Sequence, residues 1–214
     1  MSKKKTLLTI MAVVLVICIA VMGTLAFLTK ESAAVKNTFI AQGGGDIAKA
    51  VELWEHKAVK GDKGGYTLND NKVVDSNKYS VLPKTNLPKD PFITIIEKTE
   101  VPGYLYVEVV DGLANTGLSY AMADCWAKLD GVTGKNGGAV YVYCDEAKNP
   151  VIVTNETQGL DKIFILKNNE IVVNDTVGIA KDQTVNIDFY GYLAQANAGE
   201  DAAATFNACF KAST

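Results

Sequence analysis

Short stretches of alternating apolar and polar residues, separated by glycine, asparagine and proline, recur through most of this 214-residue chain. In Tyr104–Asp111, two tyrosines, a glutamate and a valine alternate with a leucine and two valines, and Thr184–Ala196 is the longest such stretch. Alternation with a period of two is typical of a β-strand, because successive side chains point to opposite faces of the sheet. The pattern predicts an antiparallel β-sandwich in which Tyr104–Asp111 is a half-buried strand.

Several further segments share this pattern, and turn-forming residues lie between them. Gly61–Gly65 and Asn69–Lys72 have the composition of turns. Ala48–His56 fits an amphipathic helix as well as a strand, so this segment remains open between the two. The further predicted strands are Ile47–His56, Tyr66–Leu68, Lys89–Ile96, Cys125–Leu129, Ala139–Cys144, Val151–Thr154, Ile163–Leu166 and Ile171–Val173.

One segment near the C-terminus has helical composition. Glu200–Lys211 begins with acidic residues and ends with lysine, an arrangement that matches the helix dipole. Phe206, Cys209 and Phe210 form its apolar stripe. The sequence therefore predicts a sandwich with one short C-terminal helix.

The N-terminal segment has the features of a secretory signal. Met1–Lys5 contains three lysines and no acid, and Thr6–Ala26 contains no charged residue. Thr24, Leu25 and Ala26 form a small-x-small exit, so we expect cleavage after Ala26.

An uncleaved membrane anchor is the alternative interpretation, because an apolar run of about 20 residues is long enough to span a bilayer. Cleavage is favoured because Gly23 and Thr24 interrupt the run where a peptidase needs extended backbone.

The segment around the cleavage position resembles a known family. Gly23–Thr29, with the sequence GTLAFLT, is followed by Val35–Ile40, with the sequence VKNTFI. Both resemble the signal region of TasA/camelysin-like proteins, secreted proteins of Gram-positive bacteria that the signal peptidase SipW processes. Lys30 stands where the family usually has Asp, and Ala41–Gly43 stands where it usually has Val-Gly. The resemblance implies that Phe27 is the first mature residue.

The resemblance extends less strongly into the rest of the chain. Lys89-Asp90-Pro91 leading into an aromatic-valine strand resembles the core of the same family, and so does the Tyr-x-x-Gln-Ala pattern at Tyr192–Ala196. It implies a jelly-roll-like version of the sandwich. Gly43–Ser80 carries no motif of the family.

These features divide the chain into a signal peptide (1–26), an N-terminal extended arm with a glycine hinge (27–45) and a β-sandwich domain (46–214). Within the arm, Val35, Asn37 and Phe39 share one face. We expect an exported structural protein, a subunit of a cell-surface or biofilm-matrix fibre, whose freed arm completes the sheet of a neighbouring subunit. The alternative is that the arm pairs within its own sandwich.

Cys125 and Cys144 lie at the outer ends of two predicted strands that flank the loop sequence GVTGKNGG, a hairpin pattern. The midpoint of the loop lies between Gly134 and Lys135, so the two cysteines are expected opposite each other. Opposed hairpin positions meet disulfide geometry, and an exported protein enters an oxidising compartment. A disulfide and a pair of buried free thiols both remain open. Cys209 is then left over, either buried or bridged to another subunit.

His56 is the only histidine of the chain. No H-E-x-x-H motif is present, and one histidine cannot supply the usual catalytic zinc set. No G-x-S-x-G nucleophile motif is present either. We therefore interpret His56 as a solvent-facing or core residue and expect no enzyme activity, no cofactor and no metal site.

Camelysin-type relatives are described as metallopeptidases, which keeps a peptidase as the weaker alternative. A monomeric cell-surface binding module is a further alternative, with Trp54, Tyr66, Trp126 and Tyr143 as candidate contacts.

The net charge of the chain limits the classes of partner that we expect it to bind. The formal net charge is −3, and removal of the three lysines of the signal leaves −6 for the mature chain. An acidic domain disfavours nucleic acid and anionic membrane as partners. The expected partners are a SipW-type signal peptidase, further copies of the chain, and an accessory matrix or cell-wall protein. Contact with the membrane is expected only through the uncleaved signal, before the protein reaches the extracellular matrix or cell surface.

Overall fold

The computed structural model describes residues 29–31, 51–62, 65–95, 102–154, 161–179, 184–196 and 199–210. These residues form strands, one short 3-10 helix at Lys167–Asn169 and one α-helix. The strands are β1 (Thr29–Glu31), β2 (Val51–Lys60), β3 (Tyr66–Val74), β4 (Leu87–Pro88), β5 (Phe92–Ile95), β6 (Gly103–Asp111), β7 (Leu118–Ser119), β8 (Trp126–Thr133), β9 (Ala139–Tyr143), β10 (Ile152–Val153), β11 (Ile163–Phe164), β12 (Glu170–Val173) and β13 (Ile187–Gln195), and the helix is α1 (Ala202–Phe210).

The strands form two main antiparallel sheets and one small one. The larger sheet has the order β1-β13-β6-β9-β8, with β10 also paired to β6. The second sheet has the order β11-β5-β2-β3, and the small sheet has the order β4-β12-β7. The chain passes between the two main sheets after β1, after β5 and after β10, a path that fits a jelly-roll-like sandwich.

The inner faces of the two main sheets form one hydrophobic core. Alternate residues of β6 and β13 point toward β2 and β5, as the two-residue alternation predicts. The antiparallel β-sandwich with one short C-terminal helix is therefore confirmed. The core residues contributed by these four strands are Val51, Leu53, Ile93, Leu105, Val107, Val109, Phe189 and Leu193.

Helix α1 covers the outer face of the larger sheet. Phe206 is fully buried there, and its ring meets the Tyr106 and Tyr192 rings edge-on at centroid distances of 5.1 and 5.5 Å. The Tyr106 hydroxyl donates a 2.9 Å hydrogen bond to the Ala202 carbonyl. The expectation that β6 is half-buried is wrong, since Gly103–Val109 is buried on both faces. The helix adds a third layer that the strand pattern does not encode.

Asp201 fixes the start of α1. Its carboxylate accepts a 2.7 Å hydrogen bond from the Ala204 backbone N–H, so it acts as the N-cap. The apolar stripe is confirmed at Phe206 and Phe210, which are buried, whereas Cys209 is half-buried.

The predicted turn at Asn69–Lys72 is wrong. β3 runs through these residues, and its register against β2 shifts from Lys57 opposite Asn69 to His56 opposite Val73. The turn-forming residues are accommodated in a bulge, which holds extra residues without ending the strand. The turn at Gly61–Gly65 is present, with a 2.8 Å hydrogen bond from Gly61 N–H to the Gly65 carbonyl.

No helix among the described residues is long and apolar enough to cross a membrane. The apolar segment Thr6–Ala26 lies outside those residues.

Candidate functional site

The N-terminal strand lies at one edge of the larger sheet. β1 pairs antiparallel with β13, and the register places Thr29 opposite Ala194, Lys30 opposite Leu193 and Glu31 opposite Tyr192. We call the side of β13 that faces β1 the β13 edge. A sheet edge presents a row of backbone N–H and C=O groups and is a ready template for another strand.

The strand that occupies the β13 edge belongs to the predicted arm. β1 begins two residues after Phe27, the expected mature N-terminus, and the next described strand is β2 at Val51. The predicted processing residues Thr24, Leu25, Ala26 and Phe27 lie outside the described residues, and so do the arm residues Val35, Asn37 and Phe39.

Residues 32–50 form the link between β1 and β2. A fully extended segment of this length spans up to roughly 60 Å. A domain of this size has a radius of gyration of about 15 Å. The link is therefore long enough to deliver β1 to a neighbouring molecule as well as to its own sheet.

The two hairpin cysteines are opposed as predicted. The Cys144 N–H donates a 2.8 Å hydrogen bond to the Cys125 carbonyl, and the next pair is Trp126 opposite Tyr143. Both cysteines have free thiols in this structure, with Cys125 Sγ 3.8 Å from the Phe164 carbonyl oxygen. Burial raises the pKa of both thiols. The disulfide stays a prediction, and the hairpin register that it requires is present.

His56 lies in the core rather than at the surface. The Asp90 carboxylate accepts a 3.0 Å hydrogen bond from the His56 backbone N–H, and its other oxygen lies 2.5 Å from His56 Nδ1. The second ring nitrogen, Nε2, lies 3.2 Å from Nζ of Lys162. Lys162 Nζ also lies 4.8 Å from the centre of the Phe92 ring.

A buried ion pair lies beside this histidine. Lys89 Nζ is 2.7 Å from Glu55 Oε2, and the side chains are 9% and 0% exposed. Lys89 Nζ also lies 5.8 Å from the centre of the Phe189 ring in the opposite sheet. Glu55 Oε1 has no hydrogen-bond partner within the described part of the chain. The two residues are 34 positions apart, so their contact depends on how β2 and the segment before β5 pair.

A second buried carboxylate lies under the β8–β9 loop. Glu108 is fully buried and accepts hydrogen bonds from the backbone N–H groups of Asn136 (2.9 Å) and Gly138 (2.8 Å). The Tyr192 hydroxyl donates a further hydrogen bond of 2.5 Å. A Cβ atom at Gly134 would overlap the Glu108 carboxylate. The glycines of this loop therefore let the backbone approach and satisfy a buried charge.

Within the described residues, no group of three or more His, Cys, Asp and Glu side chains is placed to hold a metal ion.

Of the candidate surface aromatics, Trp126 is buried in the core, and its indole N–H donates to the Phe164 carbonyl at 2.9 Å. Trp54, Tyr66 and Tyr143 are half-buried.

A cavity of about 640 Å³ opens at one end of the sandwich. Its lining combines apolar side chains, such as Leu113 and Ile171, with polar groups that include Lys89, Tyr79 and Asn186. This volume and this mixture of side chains are typical of small-molecule sites.

Comparison of the chain with protein-family models, with curated proteins and with solved structures found no match. A functional proposal therefore depends on the fold, on the pairing of β1 with β13, and on the sequence pattern of the N-terminal segment.

Proposed function

We propose that this protein is an exported structural subunit that assembles into an extracellular fibre of the cell surface or biofilm matrix by donating its N-terminal arm to a neighbouring copy. The observation that carries the proposal is the pairing of Thr29–Glu31 with the β13 edge. The resemblance of Gly23–Ile40 to the TasA/camelysin-like signal region supports it.

Strand exchange conserves the contacts of β1. The same backbone hydrogen bonds form on the β13 edge whether β1 comes from the same molecule or from the next one. Three paired residues hold β1 in place, and the 32–50 link reaches a second molecule. Repetition of a head-to-tail contact that does not close on itself gives a filament.

Removal of the signal controls this exchange in the proposed mechanism. In the uncleaved chain, only Phe27 and Leu28 lie between the apolar segment Thr6–Ala26 and Thr29. A bilayer-anchored segment at that position confines β1 to the membrane surface. Cleavage between Ala26 and Phe27 by a SipW-type peptidase frees β1 to move to another subunit, in the extracellular matrix or at the cell surface.

The test compares the secreted, processed protein with a version that begins at Gly44 and therefore lacks β1. Light scattering and electron microscopy should show fibres for the processed protein and monomers for the truncated one. A peptide of residues 27–43 should bind the truncated protein and leave it monomeric. Monomers from both proteins at all concentrations would refute self-assembly through the arm.

The cavity supports a second candidate function, a monomeric binding module at the cell surface. Such a protein stays monomeric and binds a small amphipathic molecule between the sheet ends. A glycan and metabolite screen by thermal shift tests this candidate. A protein that stays monomeric and shows a ligand-dependent rise in Tm, which Leu113→Trp abolishes by filling the cavity, would support the binding module over the fibre subunit. A metallopeptidase remains the weakest alternative, since the sequence provides a single histidine.

A further inference from the structure

Three polar side chains from three separate segments of the second sheet form a row. Asp90 precedes β5, His56 lies in β2, and Lys162 precedes β11. Asp90 contacts His56 Nδ1, and His56 Nε2 contacts Lys162 Nζ at 3.2 Å. The carboxylate and the amine thus lie on opposite sides of one imidazole ring.

The hydrogen-bond partners assign the tautomer of His56. A carboxylate only accepts hydrogen bonds, so Nδ1 carries the proton that faces Asp90. Asp90 is itself fixed, because its other oxygen accepts from the His56 backbone N–H at 3.0 Å. Nε2 therefore has a free lone pair, and it accepts a hydrogen from the Lys162 amine.

This environment differs from that of two other surface lysines, Lys84 and Lys167. Lys84 pairs with Asp175 at 3.4 Å, and Lys167 pairs with Asp124 at 3.2 Å. A carboxylate partner favours the charged ammonium, which is not nucleophilic. Lys162 Nζ contacts instead a ring nitrogen, His56 Nε2, at 3.2 Å and lies 4.8 Å from the centre of the Phe92 ring.

The three side chains of the row differ in their exposure to solvent. His56 and Asp90 are 4% and 3% exposed, whereas Lys162 is exposed. His56 and Asp90 are thus shielded from water, whereas the Lys162 amine is accessible to a molecule in solution. This is the arrangement of an activated nucleophile: a nucleophile, a base within hydrogen-bond reach, and a third group that orients the base.

We propose that Lys162 is an acyl-acceptor site, in which His56 acts as general base, Asp90 positions His56, and the acyl donor is an activated ester or thioester. Lys162 Nζ passes a proton to His56 Nε2, and the resulting imidazolium is stabilised by Asp90. The neutral amine then attacks the acyl carbonyl carbon, and an N–C bond forms. The attacking nitrogen loses one further proton to solvent, the C–O or C–S bond breaks, and the leaving group takes up the proton held by the His56 imidazolium and departs as the alcohol or thiol. The product is an amide on Lys162, and His56 returns to its starting state.

The charged and titratable groups around His56 are few in the described structure. Asp90 and Lys162 contact the ring directly. Glu55 and Lys89 form an ion pair with each other. Tyr79 has a pKa raised chiefly by burial and also by the charges of Glu55 and Asp90. Tyr79 therefore stays neutral below pH 9.

The test is acetylation of the full-length protein by p-nitrophenyl acetate, with the rate at each lysine measured by peptide mass spectrometry. Lys84, which is exposed and paired with a carboxylate, is the matched control. We expect Lys162 to react at least about tenfold faster than Lys84, a threshold set below the roughly 10²–10⁴-fold that a positioned general base contributes in an enzyme. His56→Gln and Asp90→Asn should lower the Lys162 rate toward that of Lys84 and leave Lys84 unchanged.

A purely structural hydrogen bond predicts a different result. In that case Lys162 reacts within about twofold of Lys84, with the same pH profile, and the proposal of a general base is overturned. The wild-type comparison alone decides this outcome, so the test does not depend on the folding of a variant. If Lys162 is fast but both variants leave its rate unchanged, the role of His56 is overturned. Lys162→Arg confirms the site by removing the modified peptide.

Discussion

The buried ion pair between Lys89 and Glu55 gives the strongest prediction about stability. Lys89→Met keeps the volume of the side chain close to that of lysine but removes the charge that faces Glu55 at 2.7 Å. Glu55 is fully buried, and its other oxygen already lacks a hydrogen-bond partner among the described residues. The variant therefore leaves a carboxylate in the core with no compensation.

Loss of one partner of a buried ion pair costs about 3–5 kcal/mol. For a domain of this size, each kcal/mol lowers Tm by about 2–4 °C, so we expect a decrease on the order of 10 °C. Replacement of both partners, as in Glu55→Leu with Lys89→Met, should return stability to within about 1 kcal/mol of the wild type, because no buried charge remains.

Urea unfolding monitored by tryptophan fluorescence measures these differences. Lys84→Met is the matched control, since the Lys84–Asp175 pair is 70% and 79% exposed and should contribute less than about 0.5 kcal/mol. Equal midpoints for Lys89→Met and Lys84→Met would refute the reasoning. A double variant as unstable as Lys89→Met alone would show that the loss comes from packing rather than charge.

Two further predictions concern the loop over Glu108 and the third free thiol. Gly134→Ala should lower the free energy of unfolding by about 1–3 kcal/mol, because the added Cβ overlaps the Glu108 carboxylate. Gly65→Ala, which meets nothing within 4 Å, should change it by less than about 0.5 kcal/mol in the same urea titration. Burial raises the pKa of Cys209 to about 11. Since only the thiolate reacts, iodoacetamide labelling of Cys209 at pH 8 should be slow and should rise about tenfold per pH unit up to that pKa; a pH-independent rate would contradict the assignment.

The strand pattern could be predicted from the sequence because it depends on local spacing, and the alternation in Tyr104–Asp111 correctly identified β6. The predicted loop GVTGKNGG placed Cys125 opposite Cys144, and the structure has that pair. The hairpin is nevertheless asymmetric, because β8 continues to Thr133 and its register against β9 shifts between Lys128 and Thr133, which the spacing of the loop does not indicate.

Other features depend on contacts between distant parts of the chain. The second buried face of β6 exists because α1, about a hundred residues later, packs on it. The alternation in β6 places Glu108 on the face opposite the core, where a glutamate would normally contact solvent. Its burial depends on the glycine-rich β8–β9 loop, whose backbone N–H groups donate hydrogen bonds to its carboxylate. Asn69–Lys72 has turn composition, yet the pairing of β3 with β2 on either side overrides that local preference and produces a bulge.

The candidate functional residues were likewise predicted only in part. The core was one of the two positions predicted for His56, and its contacts with Asp90 and Lys162 were not predicted. Two adjacent pairs of titratable residues, Glu55-His56 and Lys89-Asp90, are visible in the sequence and lie on segments that are antiparallel neighbours. A single sequence does not show which strands pair, so the two charged pairs could not be joined.

The most direct test of arm donation is to lock β1 to the β13 edge and ask which molecule supplied it. Thr29→Cys and Ala194→Cys introduce cysteines at directly opposed positions, where the Cα separation of about 4.5–5.5 Å suits a disulfide. The four native cysteines are changed to serine. Thr29→Cys with Ile187→Cys is the control, since Ile187 lies at the far end of β13.

After oxidation of the secreted, processed protein, a non-reducing gel separates the two possibilities. Donation between copies predicts a ladder of covalent multimers for the Thr29/Ala194 variant and none for the control. A bond that forms only within monomers, at every protein concentration, would show that β1 completes its own sheet and would contradict the proposed assembly.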